Sequence, residues 1–318
     1  MAEIGYALSS EEHDAATLVR LASEAEEAGF TFALISDHYH PWIDRQGHSP
    51  FVWTVIGAIA QETERLRLGT GVTCPTMRIH PAVIAHAAAT AASLMPGRFF
   101  LGVGSGENLN EHVVGVRWPP AQERLAMLAE AIEIIRWLWE GDWVTHEGEY
   151  YTVDRARLYD LPPEPPPLYV AASGPNAARL AGELGDGLIS TAPKPELVEA
   201  FQEAGGAGMP SYGQLTVCWA PSEETARKIA REWWPNAALS GDISQELPLP
   251  RHYEQATATV REEDVAQAII CGPDPEKHIA GIQQFLDAGF DAVYVHQVGT
   301  DQAGFFRFYQ EHVLPAFA

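Results

Sequence analysis

Short apolar segments alternate with helix-spaced segments from one end of this chain to the other, and that rhythm limits its fold more than any other feature. The apolar segments read as strands at Ile4 to Leu8, Phe32 to Ser36, Leu66 to Val72, Phe99 to Val103, Leu168 to Ala172, Gly187 to Thr191, Gln214 to Ala220 and Ala292 to Val298. Most are apolar at nearly every position rather than at every second one. Such strands are buried on both faces, as in a parallel sheet covered by helices. Eight of them in 318 residues predict a (β/α)8 TIM barrel spanning residues 1–318 as one domain.

The connecting helices are visible through their spacing and their punctuation. Leu18, Leu21, Ala22, Ala25 and Ala28 recur at helical intervals, and Gly29 stops that helix. Ser9 and Glu12 stand at a capping-box spacing before it. Further helices are expected at Pro81 to Leu94, at about Ala121 to Trp139, and near Pro175, Pro193, Ser222, Pro275 and Ala303. Gly141 to Val153, turning around Gly148, reads as a small hairpin. The stretch at about 234–260 is rich in proline and polar residues and lacks the β/α rhythm. It is expected to be an insertion over the C-terminal mouth of the barrel. An open doubly wound sheet is the alternative, but no glycine-rich dinucleotide fingerprint follows the first strand.

Charge and cysteine content narrow the partners. A formal net charge of -23 repels nucleic acid and anionic membranes at long range. No run of 18 apolar residues is present, so no transmembrane helix is expected. The N-terminus, Met1-Ala2-Glu3-Ile4, reads as the lead into a strand and not as a signal peptide. Cys74, Cys218 and Cys271 fit neither a disulfide framework nor a metal motif, and are expected as buried free thiols in a reducing cytoplasm.

In a TIM barrel the chemistry sits just after each strand, at the C-terminal face. Ser36-Asp37-His38-Tyr39-His40-Pro41-Trp42 follows the second strand. Gly104-Ser105-Gly106-Glu107-Asn108-Leu109-Asn110 follows the fourth, Ala171-Ala172-Ser173-Gly174-Pro175 the fifth, and Thr191-Ala192-Pro193-Lys194 the sixth. The glycines let a ligand approach the backbone closely, and the helix N-termini offer free N–H groups to an anion. Singly, each feature has a plainer reading: a hydrogen-bonded histidine, a tight turn, a packing tryptophan. His38-Tyr39-His40 has a ligand-like spacing, but no third ligand is evident and no metal is expected. Together at one end of a barrel, these features point to an active site.

On these residues, the chain resembles the luciferase-like superfamily, within it the coenzyme F420-dependent glucose-6-phosphate dehydrogenase group. The likeness is carried by Ser36-Asp37-His38 with Pro41-Trp42, Gln46-Gly47-His48, Leu68-Gly69-Thr70-Gly71-Val72, Gly102-Val103-Gly104 with Gly106-Glu107, and Leu109-Asn110-Glu111. It continues through Tyr169-Val170-Ala171-Ala172 to the Asp301-Gln302 region. The resemblance implies a TIM barrel with a deazaflavin in its mouth and a hydride passing between it and an alcohol, sugar or sugar phosphate. It implies cofactor contacts at Asp37, Gly71, Val72, Ser105, Gly106, Glu107, Asn110, Ala171, Ala172 and Gly174, with a non-proline cis peptide between Gly71 and Val72. It nominates His38, Trp42 and Glu107 for catalysis, with Glu11 as a proton relay, and it suggests a homodimer.

The chemistry agrees with those residue types. Oxidising an alcohol removes a hydride and a proton. A histidine suits the proton, a carboxylic acid can protonate the ring nitrogen, and a tryptophan can exclude water. For substrate, the resemblance points to Trp42, Thr191 and Lys194. Further basic residues expected in the C-terminal third are missing from Glu254 to Val260 and from Ala266 to Ile270, so glucose 6-phosphate is expected to be a poor substrate. An FMN-dependent monooxygenase of the same superfamily is the alternative activity, and a binding protein without turnover the alternative class.

Overall fold

The computed structural model describes residues 2–318; Met1, where the reading of the N-terminus began, lies outside them. Eight parallel strands close into a barrel: β1 Glu3–Leu8, β2 Phe32–Ile35, β3 Arg67–Thr70, β4 Phe99–Val103, β5 Leu168–Ala171, β6 Gly187–Ser190, β7 Ser211–Cys218 and β8 Ala292–Gln297. Each pairs with its neighbours in sequence, β8 returns to β1 (Glu3 opposite Ala292), and Leu188 of β6 stands opposite Ser211 of β7. The eight expected strands are therefore present, most with C-terminal ends trimmed by a residue or two, while β1 and β7 begin one and three residues earlier than expected. A short ninth strand, Ile270–Cys271, lies against β7 with Cys271 beside Cys218.

The outer helices are α1 Ala15–Ala28, α2 Val52–Glu62, α3 Pro81–Leu94, α4 Ala121–Trp139, α5 Pro175–Leu184, α6 Pro195–Phe201, α7 Glu223–Trp233, α8 Pro275–Asp287 and α9 Gln302–Phe308. Gly29 ends α1 at φ 100°, a left-handed position that suits glycine. The Ser9–Glu12 capping box does not form. Asp14 caps α1 through Thr17 N, and residues 9–12 serve the barrel mouth instead. Helix α2 was not anticipated, although Val52, Val55, Ile56, Ile59 and Ala60 bury one helical face. Its β-branched residues weaken the helix signal. The hairpin forms from Val144–Glu147 and Thr152–Ala156.

Two apolar layers hold the barrel. The larger lies between strands and helices. The smaller fills the barrel interior with Phe32, Leu34, Phe100, Tyr169, Ile189, Tyr212, Ala292 and Tyr294. Large rings fit there because small residues face them: a Cβ at Gly69 would stand 2.0 Å from the Phe100 ring. Beyond α7 the stretch expected as an insertion forms short helical pieces at Pro235–Ala238, Ile243–Glu246 and Pro250–Ala256. Trp234, Asn236, Ala237, Ser244 and Gln245 from this segment line the cavity at the barrel mouth.

Candidate active site

A cavity of about 490 Å³ opens at the C-terminal ends of the strands. That is a ligand-sized volume, at the face where barrel enzymes place their chemistry. Leu34, Val72, Ile189 and Tyr294 form its apolar floor. Its wall on the β3–β4 side is backbone. The Gly71–Val72 peptide is cis, and a Cβ at Gly104 would stand 2.8 Å from the Val72 side chain. Gly106, at φ 78°, occupies a left-handed position against Cys74 and Glu111.

Asp37 is buried at the end of β2. It accepts a hydrogen bond from Thr73 Oγ1 at 2.7 Å and one from Arg78 Nη2 at 2.8 Å. Arg78 Nε also stands 3.5 Å from Glu111, whose other oxygen accepts the Arg78 backbone N–H at 2.8 Å. Burial pushes the Glu111 carboxyl up to about 7, against the pull of Arg78. Asp37, Arg78 and Glu111 thus form one buried network beneath the cavity.

His38 is set by two contacts. Its Nδ1 lies 3.2 Å from the His40 carbonyl oxygen, which can only accept, so Nδ1 carries a proton. Its Nε2 faces Glu11 at 3.3 Å. The Glu11 carboxylate also accepts from Ser36 Oγ at 2.6 Å and Ser9 Oγ at 3.0 Å. Burial pushes this carboxyl up, but His38 and the Ser36 hydroxyl outweigh it and hold it below its ordinary value. The Trp42 ring lies 5.1 Å from the His38 ring and 5.3 Å from Tyr253. Gln46 fixes that loop, accepting from Trp42 N at 2.8 Å and donating to the Trp233 carbonyl at 2.9 Å.

Most of the residues expected at the site line this cavity: Glu11, Asp37, His38, Trp42, Gly71, Val72, Ser105, Gly106, Glu107, Ala171, Ala172 and Thr191. Three do not. Asn110 is buried behind it, where its Oδ1 accepts from Tyr39 N and His40 N and its amide reaches Glu107 at 3.3 Å. Gly174 is the N-cap of α5, next to the lining residue Ser173. Lys194 is exposed at the start of α6. The lining contains no Lys or Arg among the described residues. Glu12 was read from the sequence only as a capping residue and Glu111 only as part of a motif, and Arg78 and His296 were not singled out. His296 could have been: with Ala292 and Tyr294 it keeps the two-residue period that faces the barrel interior. All three cysteines are free and buried. No group of three His, Cys, Asp or Glu among the described residues is placed to hold a metal ion. No helix there is long and apolar enough to cross a membrane.

A closed parallel barrel with ionisable side chains gathered at its strand ends defines the class as a (β/α)8 barrel of the enzyme type. The chain belongs to the luciferase-like monooxygenase family, whose model matches residues 1–292. It is 39% identical to the F420-dependent glucose-6-phosphate dehydrogenase of Nakamurella multipartita, over 98% of this chain and 95% of the relative. A solved F420-dependent secondary alcohol dehydrogenase, in complex with an F420-acetone adduct, is 30% identical and superposes with a TM-score of 0.93, covering 100% of this chain and 99% of that one. The coenzyme F420-dependent tetrahydromethanopterin reductase of Methanopyrus kandleri, 23% identical, shares the fold at a TM-score of 0.79, with 100% and 99% covered.

Proposed function

We propose that this chain is a coenzyme F420-dependent oxidoreductase that oxidises the CH–OH group of a small neutral alcohol or sugar. The observation that carries the reading is the cavity itself, whose lining holds His38, Trp42 and Glu107 around an apolar floor of Leu34, Val72, Ile189 and Tyr294. That shape fits a flat ring system: Leu34, Val72 and Ile189 offer apolar contact, and Gly104 and Gly106 let Val72 and Cys74 pack closely behind that surface. Ser105, Ala171 and Ala172 complete the cradle, with Gly174 just outside it next to Ser173, and Asp37, fixed by Arg78, holds its β2 side.

When bound, the deazaflavin supplies the carbon that exchanges hydride with the substrate. The chain supplies the rest. In its neutral form, with Nδ1–H donated to the His40 carbonyl, His38 takes the hydroxyl proton at Nε2, and Glu11 stabilises the imidazolium that results. Glu107 faces the cavity as the acid for the coenzyme side, steadied by Asn110. Trp42, held by Gln46, covers the substrate and excludes water. The full-length likeness to F420-dependent relatives supports this reading over FMN-dependent oxygenation.

The absence of Lys and Arg from the lining argues against a sugar phosphate, although glucose-6-phosphate dehydrogenases are among the relatives. Thr191 borders the cavity, but a lone exposed Lys194 makes no phosphate clamp. Turnover with coenzyme F420, followed at its visible absorbance band, should be faster with neutral secondary alcohols than with glucose 6-phosphate. A micromolar KM for glucose 6-phosphate, raised about tenfold by Lys194→Ala, would show a functional phosphate site and refute this assignment. The same reading carries one catalytic unit acting as a homodimer in the cytoplasm. The buried free thiols suit that compartment, and an apolar groove between α2 and α3, with Val83 and Leu94 exposed, offers a surface for a second copy. Light scattering in solution tests the dimer.

A further inference from the structure

A second carboxylate–histidine pair borders the cavity, and the chemistry above does not use it. His296 ends the inward-facing period of β8. Its Nε2 lies 2.8 Å from Glu12 Oε2, and the other Glu12 oxygen accepts the Gly299 N–H at 2.9 Å. A carboxylate with two such partners is an acceptor, so the proton of a neutral His296 sits on Nε2. Its Nδ1 is then a bare lone pair. That atom is buried and has no hydrogen-bond partner, in a residue only 3% exposed. The Trp234 ring meets the imidazole edge to face, with ring centroids 4.5 Å apart. Buried polar atoms without partners are uncommon, and each needs an explanation. Here the ring borders a ligand-sized cavity, so a ligand donor can supply the missing hydrogen bond.

The neighbouring lining indicates the donor. Thr216 of β7 is the register partner of His296, and Gln214 stands opposite Tyr294. Both line the cavity, as do Thr191 and Ser244. These neutral polar side chains around His296 suit hydroxyl groups. We propose that His296, oriented by Glu12, is a second substrate-binding residue that accepts a hydrogen bond from an additional hydroxyl of the substrate, so that the site selects neutral polyhydroxylated alcohols over simple monoalcohols. The proposal rests on the dehydrogenase reading and deepens it by naming the substrate class. Glu11 and Glu12 then divide the work: one sets His38 for the reacting hydroxyl, the other sets His296 for a neighbouring one.

A matched pair of substrates tests this: cyclohexanol and 1,2-cyclohexanediol, oxidised by the holoenzyme with coenzyme F420. The wild type should prefer the diol in kcat/KM by about tenfold or more, the scale of one added hydrogen bond and of a polar group left unpaired without it. His296→Phe keeps a flat ring but cannot accept, and the diol-to-monool ratio should fall by about tenfold. His296→Gln, whose amide oxygen can accept, should restore part of the preference. A ratio unchanged in His296→Phe, or no diol preference in the wild type, overturns the proposal. A second readout needs neither coenzyme nor turnover. With ¹⁵N-labelled histidine, Nδ1 of His296 should show no proton in the free protein and should shift on adding diol but not monool. A protonated Nδ1, or one that ignores the diol, also overturns it. If no alcohol is oxidised, the dehydrogenase reading fails by itself, and the Nδ1 response still decides whether His296 binds a hydroxyl.

Discussion

Replacing Glu111 with glutamine should flatten the pH dependence of folding stability between pH 5 and pH 8. Burial pushes this carboxyl up to about 7 in the folded chain, against the opposing pull of Arg78. In an unfolded chain it titrates near 4.3. Through the window between those values the folded state holds a proton that the unfolded state has lost. Stability therefore falls as pH rises, by about 1.36 kcal/mol for each pH unit where both conditions hold. Integrated from pH 5 to pH 8, the loss is roughly 2–3 kcal/mol. The glutamine oxygen can still accept the Arg78 backbone N–H that Glu111 accepts at 2.8 Å. Its amide group faces Arg78 Nε less favourably, but that cost does not vary with pH and displaces the curve without tilting it. Urea unfolding of both proteins at pH 5, 6, 7 and 8 measures the tilt directly. The wild type should lose roughly 2–3 kcal/mol relative to the variant across that range. Curves that stay parallel within about 0.5 kcal/mol, the scatter of an ordinary surface substitution, would refute the reasoning.

Two further outcomes follow from the same geometry. His38→Ala should lower turnover by roughly 10²–10⁴ while coenzyme affinity hardly changes, read by steady-state kinetics beside a coenzyme titration; equal losses in both would make His38 a coenzyme contact and not the base. Gly102→Ala would place a Cβ 2.0 Å from the Thr70 carbonyl oxygen and 3.0 Å from Ile189, and should destabilise the barrel by about 1–3 kcal/mol or more, whereas at Gly174 nothing lies within 4 Å of an added Cβ and alanine should cost only the loss of a glycine N-cap, at most about 1 kcal/mol; similar melting temperatures for the two variants would contradict this.

The barrel was legible because its determinants are local. Apolar runs such as Phe99 to Val103 and Ala292 to Val298 bury both faces, and their short length between turn signals marks them as strands. Gly29 marked its helix end correctly because only the local backbone matters there. Strand ends were read too long where the chain leaves the ladder for the mouth, as at Gly71 and Val72. Helix α2 escaped because Val52, Val55, Ile56 and Ile59 serve a buried helical stripe and a strand equally well. The residues of the candidate site that follow strands in contiguous motifs, Asp37 to Trp42 and Gly104 to Glu107, could be found by position alone. Lys194 could be located but not aimed, since its direction depends on how α6 starts.

What escaped entirely is pairwise. Arg78 comes some 40 positions after the Asp37 it binds, and Glu12 is 284 positions from His296. No local pattern reports such a pairing. The Glu11–Glu12 pair shows why. A capping-box spacing gave Glu12 a plausible local partner in Ser9, but Asp14 caps α1. That leaves both carboxylates free to serve β1's neighbours in the closed sheet. β1 lies between β2 and β8, so the loop after it is the one segment placed to reach a histidine on each side. Closure of the barrel, which joins the first strand to the last, is thus what brings the second pair to the cavity. An open sheet made from the same strands would keep Glu11 beside His38 but lose the Glu12–His296 contact.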